Sequence, residues 1–181
     1  TIVETPVAII KQVAHTAVDQ TVTFEADASK NDPNRQLTYV WSFGDEGRAE
    51  GTKVTHAYAK GGTFNVKLTV ADGTGLDCGQ ATAVQTMQVN TPPVPSLVIA
   101  NKICCVNQEV MFDASESKDP DGDNLKYLWD FGDGNTSEEI KPVHIYKTAG
   151  VFKITLTVSD TSGLPGSSAQ ASAIAKVNQK P

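Results

Sequence analysis

The chain has 181 residues, of which 39% are hydrophobic and 20% are charged, and its formal net charge is −6. This composition is typical of a globular protein, and no apolar run approaches the roughly 20 residues of a membrane helix, which excludes direct membrane insertion. Residues 1–90 carry 7 basic and 10 acidic side chains, and residues 91–181 carry 8 and 11. Because neither half has a basic stripe, nucleic acid is excluded as a partner.

The predicted elements, taken in chain order, are all strands. Apolar and polar residues alternate in the segments 63–72 and 151–160, which places the apolar set on one face of a sheet. Turn-forming residues punctuate the chain between such segments, as a β-sandwich requires. We expect strands near 7–13, 20–27, 37–43, 52–57, 63–72, 81–90, 95–101, 109–115, 125–131, 140–146, 151–160 and 169–178.

One motif, Trp-x-Phe-Gly-Asp, is written twice, at Trp41 and at Trp129, 88 positions apart. The same offset matches residues from the first predicted strand of each half to the last, which indicates a tandem repeat rather than chance recurrence. Each repeat is long enough to bury its own core. The sequence therefore predicts two domains, residues 1–90 and residues 91–181, each with two antiparallel sheets packed face to face.

The repeated motif is interpreted as core and turn. In a strand, Trp129 and Phe131 point to one face while Asp130 points to the other. The two aromatic side chains then enter the core and the carboxylate meets water. The same holds for Trp41 and Phe43, so none of these aromatics is expected to form a ligand platform.

Three motifs together carry a resemblance to a known family: Tyr-x-Trp-x-Phe-Gly-Asp, then His-x-Tyr, then Gly-x-Phe-x-(Val/Ile)-x-Leu-Thr-Val-x-Asp. Both repeats resemble PKD domains over nearly all of their length. The resemblance implies an all-β fold of two tandem immunoglobulin-like β-sandwich modules, located outside the cell, on its surface or in the periplasm. It also implies non-catalytic roles, as spacers, adhesion modules or accessory substrate-binding modules, and calcium binding in some members.

An acidic turn in the second repeat is a candidate calcium site. Asp119, Asp121 and Asp123 lie within five positions, followed by Asn124. A hard cation favours such a crowded set of oxygens, which otherwise repel one another. The resemblance to calcium-binding PKD modules of collagenases adds Asp130 and an oxygen of Asn90 to the expected ligands.

The first repeat lacks this set. Its loop keeps one carboxylate, Asp32, with Arg35 placed to neutralise it, and Ser42 replaces the aspartate found at position 130. Calcium is therefore expected in the second module only.

The three cysteines, Cys78, Cys104 and Cys105, do not occupy the positions of an immunoglobulin inter-sheet bridge. A bridge between Cys78 and Cys104 needs the two modules to fold back on each other. Free or intermolecular thiols, or a bond between the adjacent Cys104 and Cys105, remain open alternatives.

The sequence gives little support for a catalytic function. His56 and His144 are equivalent positions, each followed two residues later by a tyrosine, which indicates a shared structural role. The tyrosines are expected to hydrogen-bond across a corner of the sandwich. Because no nucleophile elbow, phosphate loop or dinucleotide fingerprint occurs, we expect no enzyme active site.

The proline-rich segment 89–95 joins the two repeats, and its stiffness predicts an elongated pair. Since the chain begins with Thr1 rather than Met, we expect it to be part of a longer polypeptide with further modules. The leading functional hypothesis is a spacer or adhesion stalk whose partners are other domains of the same polypeptide. The alternatives are an accessory module that binds a matrix protein or polysaccharide for a secreted hydrolase, and a protein-recognition module of an envelope or secretion complex.

Overall fold

The computed structural model describes residues 5–26, 36–76 and 79–179. Within these ranges the backbone is essentially all-β, with 54% of the described residues in strands or isolated β-bridges and no helix. Accordingly, the described ranges contain no helix that could cross a membrane. The chain divides into two compact units, Thr1–Asn90 and Thr91–Pro181, which we call the first and second modules.

The first module contains seven strands within the described ranges, and their bounds are β1 (Thr16–Ala17), β2 (Thr21–Glu25), β3 (Thr38–Ser42), β4 (Arg48–Glu50), β5 (Lys53–Ala57), β6 (Gly62–Ala71) and β7 (Gln80–Asn90). One sheet has the order β1-β7-β6-β3-β4, and the other pairs β2 with β5. All pairs are antiparallel except β1 with β7.

The second module repeats this plan with the strands β8 (Val98–Ile99), β9 (Ile103–Cys105), β10 (Glu109–Asp113), β11 (Leu125–Asp130), β12 (Thr136–Ser137), β13 (Val143–Ile145), β14 (Gly150–Asp160) and β15 (Ser168–Asn178). The larger sheet has the order β12-β11-β14-β15-β9, and the smaller sheet has the order β13-β10-β8. Strand β9 runs parallel to β15, as β1 does to β7. The predicted all-β sandwich fold is confirmed.

Each core is built around the repeated motif. Trp41 and Trp129 are 0% exposed, and the phenylalanines two positions later are equally inaccessible to solvent. Each indole N–H donates to a main-chain carbonyl at 2.9 Å, of Gly51 in the first module and Glu139 in the second. The interpretation of the motif as core is confirmed, and the indole hydrogen bond explains how a polar nitrogen is tolerated there.

The predicted tyrosine hydrogen bonds are also confirmed. The Tyr58 hydroxyl donates to the Phe43 carbonyl at 3.1 Å, and the Tyr146 hydroxyl donates to the Phe131 carbonyl at 3.0 Å. Both tyrosines are buried. Each bond ties the strand that carries the motif to the segment that follows the repeated histidine.

The predicted strand at 7–13 is reduced to a single bridge between Ile10 and Ala26. Its alternation is real, since Val7 and Ile9 are exposed while Ala8 and Ile10 pack against the core. Side-chain alternation alone does not make a ladder, because a strand also needs successive hydrogen bonds to a neighbour. The predicted strand at 95–101 likewise shrinks to Val98–Ile99.

Cys104 and Cys105 are free thiols, so the adjacent disulfide is not formed. Cys104 is 7% exposed. Burial, together with the neighbouring Cys105, raises the pKa of its thiol. Cys78 lies outside the described residues.

Candidate metal site in the second module

The acidic turn lies between β10 and β11 and is organised by one carboxylate. Asp119 Oδ1 accepts hydrogen bonds from the amides of Asp121 at 2.9 Å and Asp123 at 3.2 Å. Gly122 has a φ of 84° and closes the turn, a conformation that glycine adopts without strain. The Asp119 carboxylate thus organises the turn through two main-chain amides.

The second oxygen of Asp119 has no partner within the described residues. Asp119 Oδ2 is buried and makes no hydrogen bond. A buried carboxylate oxygen without a partner is costly, and a bound cation would satisfy it. This atom is the strongest structural sign that the turn can accept a positive ligand.

Asp121 is held by the first residue of its own module. Its carboxylate accepts hydrogen bonds from the amide of Thr91 at 2.6 Å and from the Thr91 hydroxyl at 3.1 Å. The resemblance to calcium-binding PKD modules of collagenases implied that the segment around Asn90 and Thr91 meets this loop, and Thr91 does contact it. The contact fixes the position of one of the three carboxylates.

Asp123 experiences the repulsion that the sequence predicted. Partial burial is the largest cause that raises the pKa of Asp123. The neighbouring carboxylates of Asp119, Asp160 and Asp121 raise it further. Asp160, at the end of β14, is a neighbour that the sequence spacing did not reveal. A divalent cation would remove this repulsion, since it favours the ionised form of every carboxylate around it.

The predicted ligands do not all come together. Asp130 lies at the opposite end of β11 from the loop, about 20 Å away along a six-residue strand, and its Oδ1 accepts from the amide of Gly132 at 2.8 Å. Strand β11 therefore separates Asp130 from the turn, and a ligand role for Asp130 stays a prediction. Asn90 ends β7 of the first module, where its carbonyl accepts from Val18, and its role stays a prediction.

In the ranges 5–26, 36–76 and 79–179, no group of three or more His, Cys, Asp or Glu side chains is already placed to hold a metal ion. The turn therefore has suitable donor chemistry without a preassembled carboxylate cage. In the first module, Asp32 and Arg35 lie outside the described residues, and Ser42 ends β3.

A second polar cluster occurs once in each core. His56 Nε2 lies 2.7 Å from Asp45 Oδ2, and His144 Nε2 lies 2.7 Å from Asp133 Oδ2. Each imidazole stacks on the phenylalanine of the Trp-x-Phe-Gly-Asp motif, with ring centroids 4.1 Å and 4.2 Å apart. The aspartate that ends the motif was not predicted to pair with the histidine, although both recur 11 positions apart in each repeat.

The electrostatics of the two aspartates match. Burial by itself raises the pKa of Asp45 and of Asp133, but the hydrogen bond from the histidine, together with main-chain amides, lowers the pKa below its usual value. The carboxylates therefore stay ionised inside a half-buried cluster. The tyrosine two residues after each histidine meets the imidazole edge-on and already donates its hydroxyl to a main-chain carbonyl. These groups tie strands together, as the sequence predicted for the histidines.

Comparison with known proteins places the chain in a family. The family model described as PKD domain matches residues 3–89 and again residues 90–175. A microbial collagenase of Vibrio alginolyticus is 32% identical over 105 residues, which is 58% of this chain and 13% of the relative. Collagenase ColQ1 of Bacillus cereus is 48% identical over 58 residues, which is 32% of this chain and 6% of the relative.

Among solved structures, the PKD1 domain of the Vibrio cholerae metalloprotease PrtV is 35% identical and has a TM-score of 0.40. It covers 48% of this chain and 98% of its own. The chain thus spans a small part of the curated relatives that it matches. Because the family model covers nearly every residue in two successive copies, the chain belongs to the PKD domain family.

Proposed function

We propose that this chain is a pair of non-catalytic accessory modules in a larger extracellular protease, where it holds a neighbouring domain of the same polypeptide at a distance. The observation that carries this proposal is the duplication itself. Two polar groups that the copies share, the His–Asp pair and the tyrosine hydroxyl, are used inside each core. The relatives named above are collagenases, and the chain spans 13% or less of their length. Their catalytic work is expected to lie in other domains.

A second candidate function is binding to a matrix polymer such as collagen. The larger sheet of the second module carries hydroxyl and amide groups on its outer face. Thr157 pairs with Gln170 across the strands and accepts a hydrogen bond from its side-chain amide at 3.0 Å. The neighbouring register pairs Thr155 with Ser172. Such a face can hydrogen-bond an extended polymer, whereas both tryptophans are buried and cannot stack on a sugar ring.

Co-sedimentation with insoluble collagen, and in parallel with chitin and cellulose, separates these two functions. A spacer leaves the chain in the supernatant with all three polymers. Retention on collagen contradicts a pure spacer and supports the second candidate. In that case Thr157→Glu should reduce retention, while Thr69→Glu at the equivalent position of the first module serves as the matched control.

We also propose that the second module binds one calcium ion through Asp119, Asp121 and Asp123. The unpartnered Asp119 Oδ2 and the raised pKa of Asp123 support the proposal. Because the carboxylates are not preassembled, we expect weak binding, in the range of about 10⁻⁴–10⁻³ M seen for extracellular calcium modules. When bound, calcium supplies positive charge that orders the loop.

Thermal unfolding with calcium and with a chelator tests this site. Calcium at about 100 times its dissociation constant should add about 2.7 kcal/mol to the free energy of unfolding of the second module. Asp119→Asn should abolish the gain, because it keeps the Oδ1 acceptor but removes the charge. Glu109→Gln, an exposed change on β10, is the matched control and should keep the gain. An unchanged Tm at about 10–100 mM calcium, which is 100 times the expected dissociation constant, would contradict the proposal.

A further inference from the structure

The outer face of the larger sheet in the second module carries a cluster of exposed aliphatic side chains at one corner. Ile103, Val151 and Ile174 are 67%, 68% and 60% exposed. Lys176 of β15 pairs with Val151 on one side and with Ile103 on the other. In the adjacent row, Lys153 pairs with Ile174. The three aliphatic side chains are therefore neighbours, and a contiguous exposed set of this kind marks an interaction surface.

The two lysines give this corner a positive charge. Lys153 and Lys176 are both exposed, and neither forms an ion pair within the described residues. Asp130, in the next row of the same face, accepts from the amide of Gly132. In a chain of net charge −6, the corner is thus a local excess of positive charge. We use the name basic patch for Ile103, Val151, Lys153, Ile174 and Lys176.

The first module has no such patch at the same corner. Its strands have the same register, with Thr63 opposite Gln88 and Asn65 opposite Thr86. These four residues and His15 occupy the positions of the basic patch, 88 residues earlier, and all five are polar and exposed. The fold therefore does not require aliphatic side chains here, and the basic patch is specific to the second module.

The opposite side of the same face carries aliphatic residues with the opposite charge. Leu128 and Ile140 are 46% and 48% exposed and line a groove of about 620 Å³ together with Glu138. Glu139 is also exposed, and neither glutamate forms an ion pair in the part of the chain that the structure describes. Lys126 lines the groove as well, which leaves a net negative charge. We use the name acidic patch for Leu128, Glu138, Glu139 and Ile140.

The two patches are placed so that they can bind each other across two copies of the chain. Leu128 shares a row with Thr157 and Gln170. Ile174 lies two strands from Leu128 and four residues further along β15, so the two side chains are about 17 Å apart. A two-fold axis in the plane of the interface, midway between the patches, places each patch of one copy on the opposite patch of the other. Such a contact uses every patch once and closes at a dimer.

We propose that the outer face of the larger sheet in the second module binds a second copy of this chain in a two-fold symmetric dimer. Charge complementarity supports this partner, because one face carries both signs and each sign is flanked by exposed aliphatic side chains. Pairing the patches removes these aliphatic side chains from water. The dimer goes beyond the spacer role proposed above and does not involve the acidic turn. It covers Thr157 and Gln170, so a matrix polymer competes with the dimer for this face.

Sedimentation velocity of the intact chain, from micromolar to millimolar concentration, tests the dimer. We expect a dimer that increases with concentration and weakens as salt screens the charges. Lys153→Glu and Glu138→Lys should each weaken self-association about fivefold or more, because each opposes like charges at both contacts of the dimer. An equimolar mixture of the two variants should recover the association of the unchanged chain, because both contacts of the mixed dimer then join opposite charges.

Matched changes in the first module are the controls. Asn65→Glu and Glu50→Lys occupy the equivalent positions and should leave self-association unaltered. Ile174→Thr, which introduces the residue type of the first module, should weaken it. A chain that stays monomeric at every concentration would overturn the proposal, as would a mixture of the two charge variants that stays monomeric. Species larger than a dimer would overturn the two-fold contact, and a monomeric chain that floats with phosphatidylserine vesicles would assign the basic patch to a lipid surface instead.

Discussion

In both modules the imidazole of the repeated histidine lies 2.7 Å from an aspartate, and the tyrosine hydroxyl lies within 3.1 Å of a buried carbonyl. Outside these cores the modules differ. The second module places Asp119, Asp121 and Asp123 in one turn, and its β11–β12 pairing is one residue shorter than the β3–β4 pairing of the first module. The shared features explain why the chain folds twice in the same way. The differences show where a function specific to one module can reside.

The largest expected effect tests whether the cores are equivalent. Trp41→Ala and Trp129→Ala should each cost about 3–5 kcal/mol, because each removes a side chain that is 0% exposed and leaves a cavity. Peptide-resolved hydrogen exchange should show lost protection in the substituted module. Leu128→Ala, at a site that is 46% exposed, is the control and should cost less than about 0.5 kcal/mol. If the substituted module kept its full hydrogen-exchange protection after either tryptophan substitution, the two cores would not be equivalent.

The His–Asp pairs should give the two modules the same response to acid. The pKa of Asp45 and of Asp133 is lowered by folding, so their contribution to stability is present above the unfolded value of about 3.9. This contribution to stability is lost as the pH falls through the lowered pKa of each aspartate in the folded state. Asp133→Asn should cost about 1.5–3 kcal/mol at neutral pH, the range for a hydrogen bond to a charged group, and should flatten the pH dependence below pH ~4.

Asp45→Asn provides the matched comparison in the first module. Chemical denaturation at pH 3 to 7, followed by module-resolved hydrogen exchange, measures both variants. An acid response that persists unchanged in either variant would show that other groups dominate acid unfolding there.

The sequence predicted the long strands well and the short pairings poorly. The alternation of β6 and β14 marks a buried face that depends only on local spacing, so these strands were found nearly to their ends. The parallel strands β1 and β9, with two and three residues, have no period of their own and exist because β7 and β15 lie beside them. Such pairings are decided by tertiary context.

The acidic turn could be predicted in composition but not in geometry. Asp119, Asp121 and Asp123 are near each other because the loop is short, whereas Asp130 is separated from them by a strand that extends away. The unpartnered Asp119 Oδ2 and the neighbouring Asp160 depend on how the loop packs, which spacing does not reveal.

The smallest expected effect is the change in Tm caused by a substitution in the acidic turn of the second module. In the presence of chelator, Asp123→Asn should raise the Tm of the second module by at most about 2–4 °C, because it removes a carboxyl whose pKa is raised by its neighbours. The sign follows from linkage, since a carboxyl with a raised folded pKa destabilises the fold at neutral pH. The same variant should lose stabilisation by calcium. Differential scanning calorimetry measures both, and a lower Tm in chelator would contradict the assigned repulsion.

The difference between the two modules is tested most directly by amide NMR spectra of the intact chain as calcium is added. We predict shift changes at Thr91 and along the segment 119–124, with none along the segment 36–42 of the first module. Unchanged spectra at millimolar calcium, or changes of equal size in both modules, would contradict a site specific to the second module.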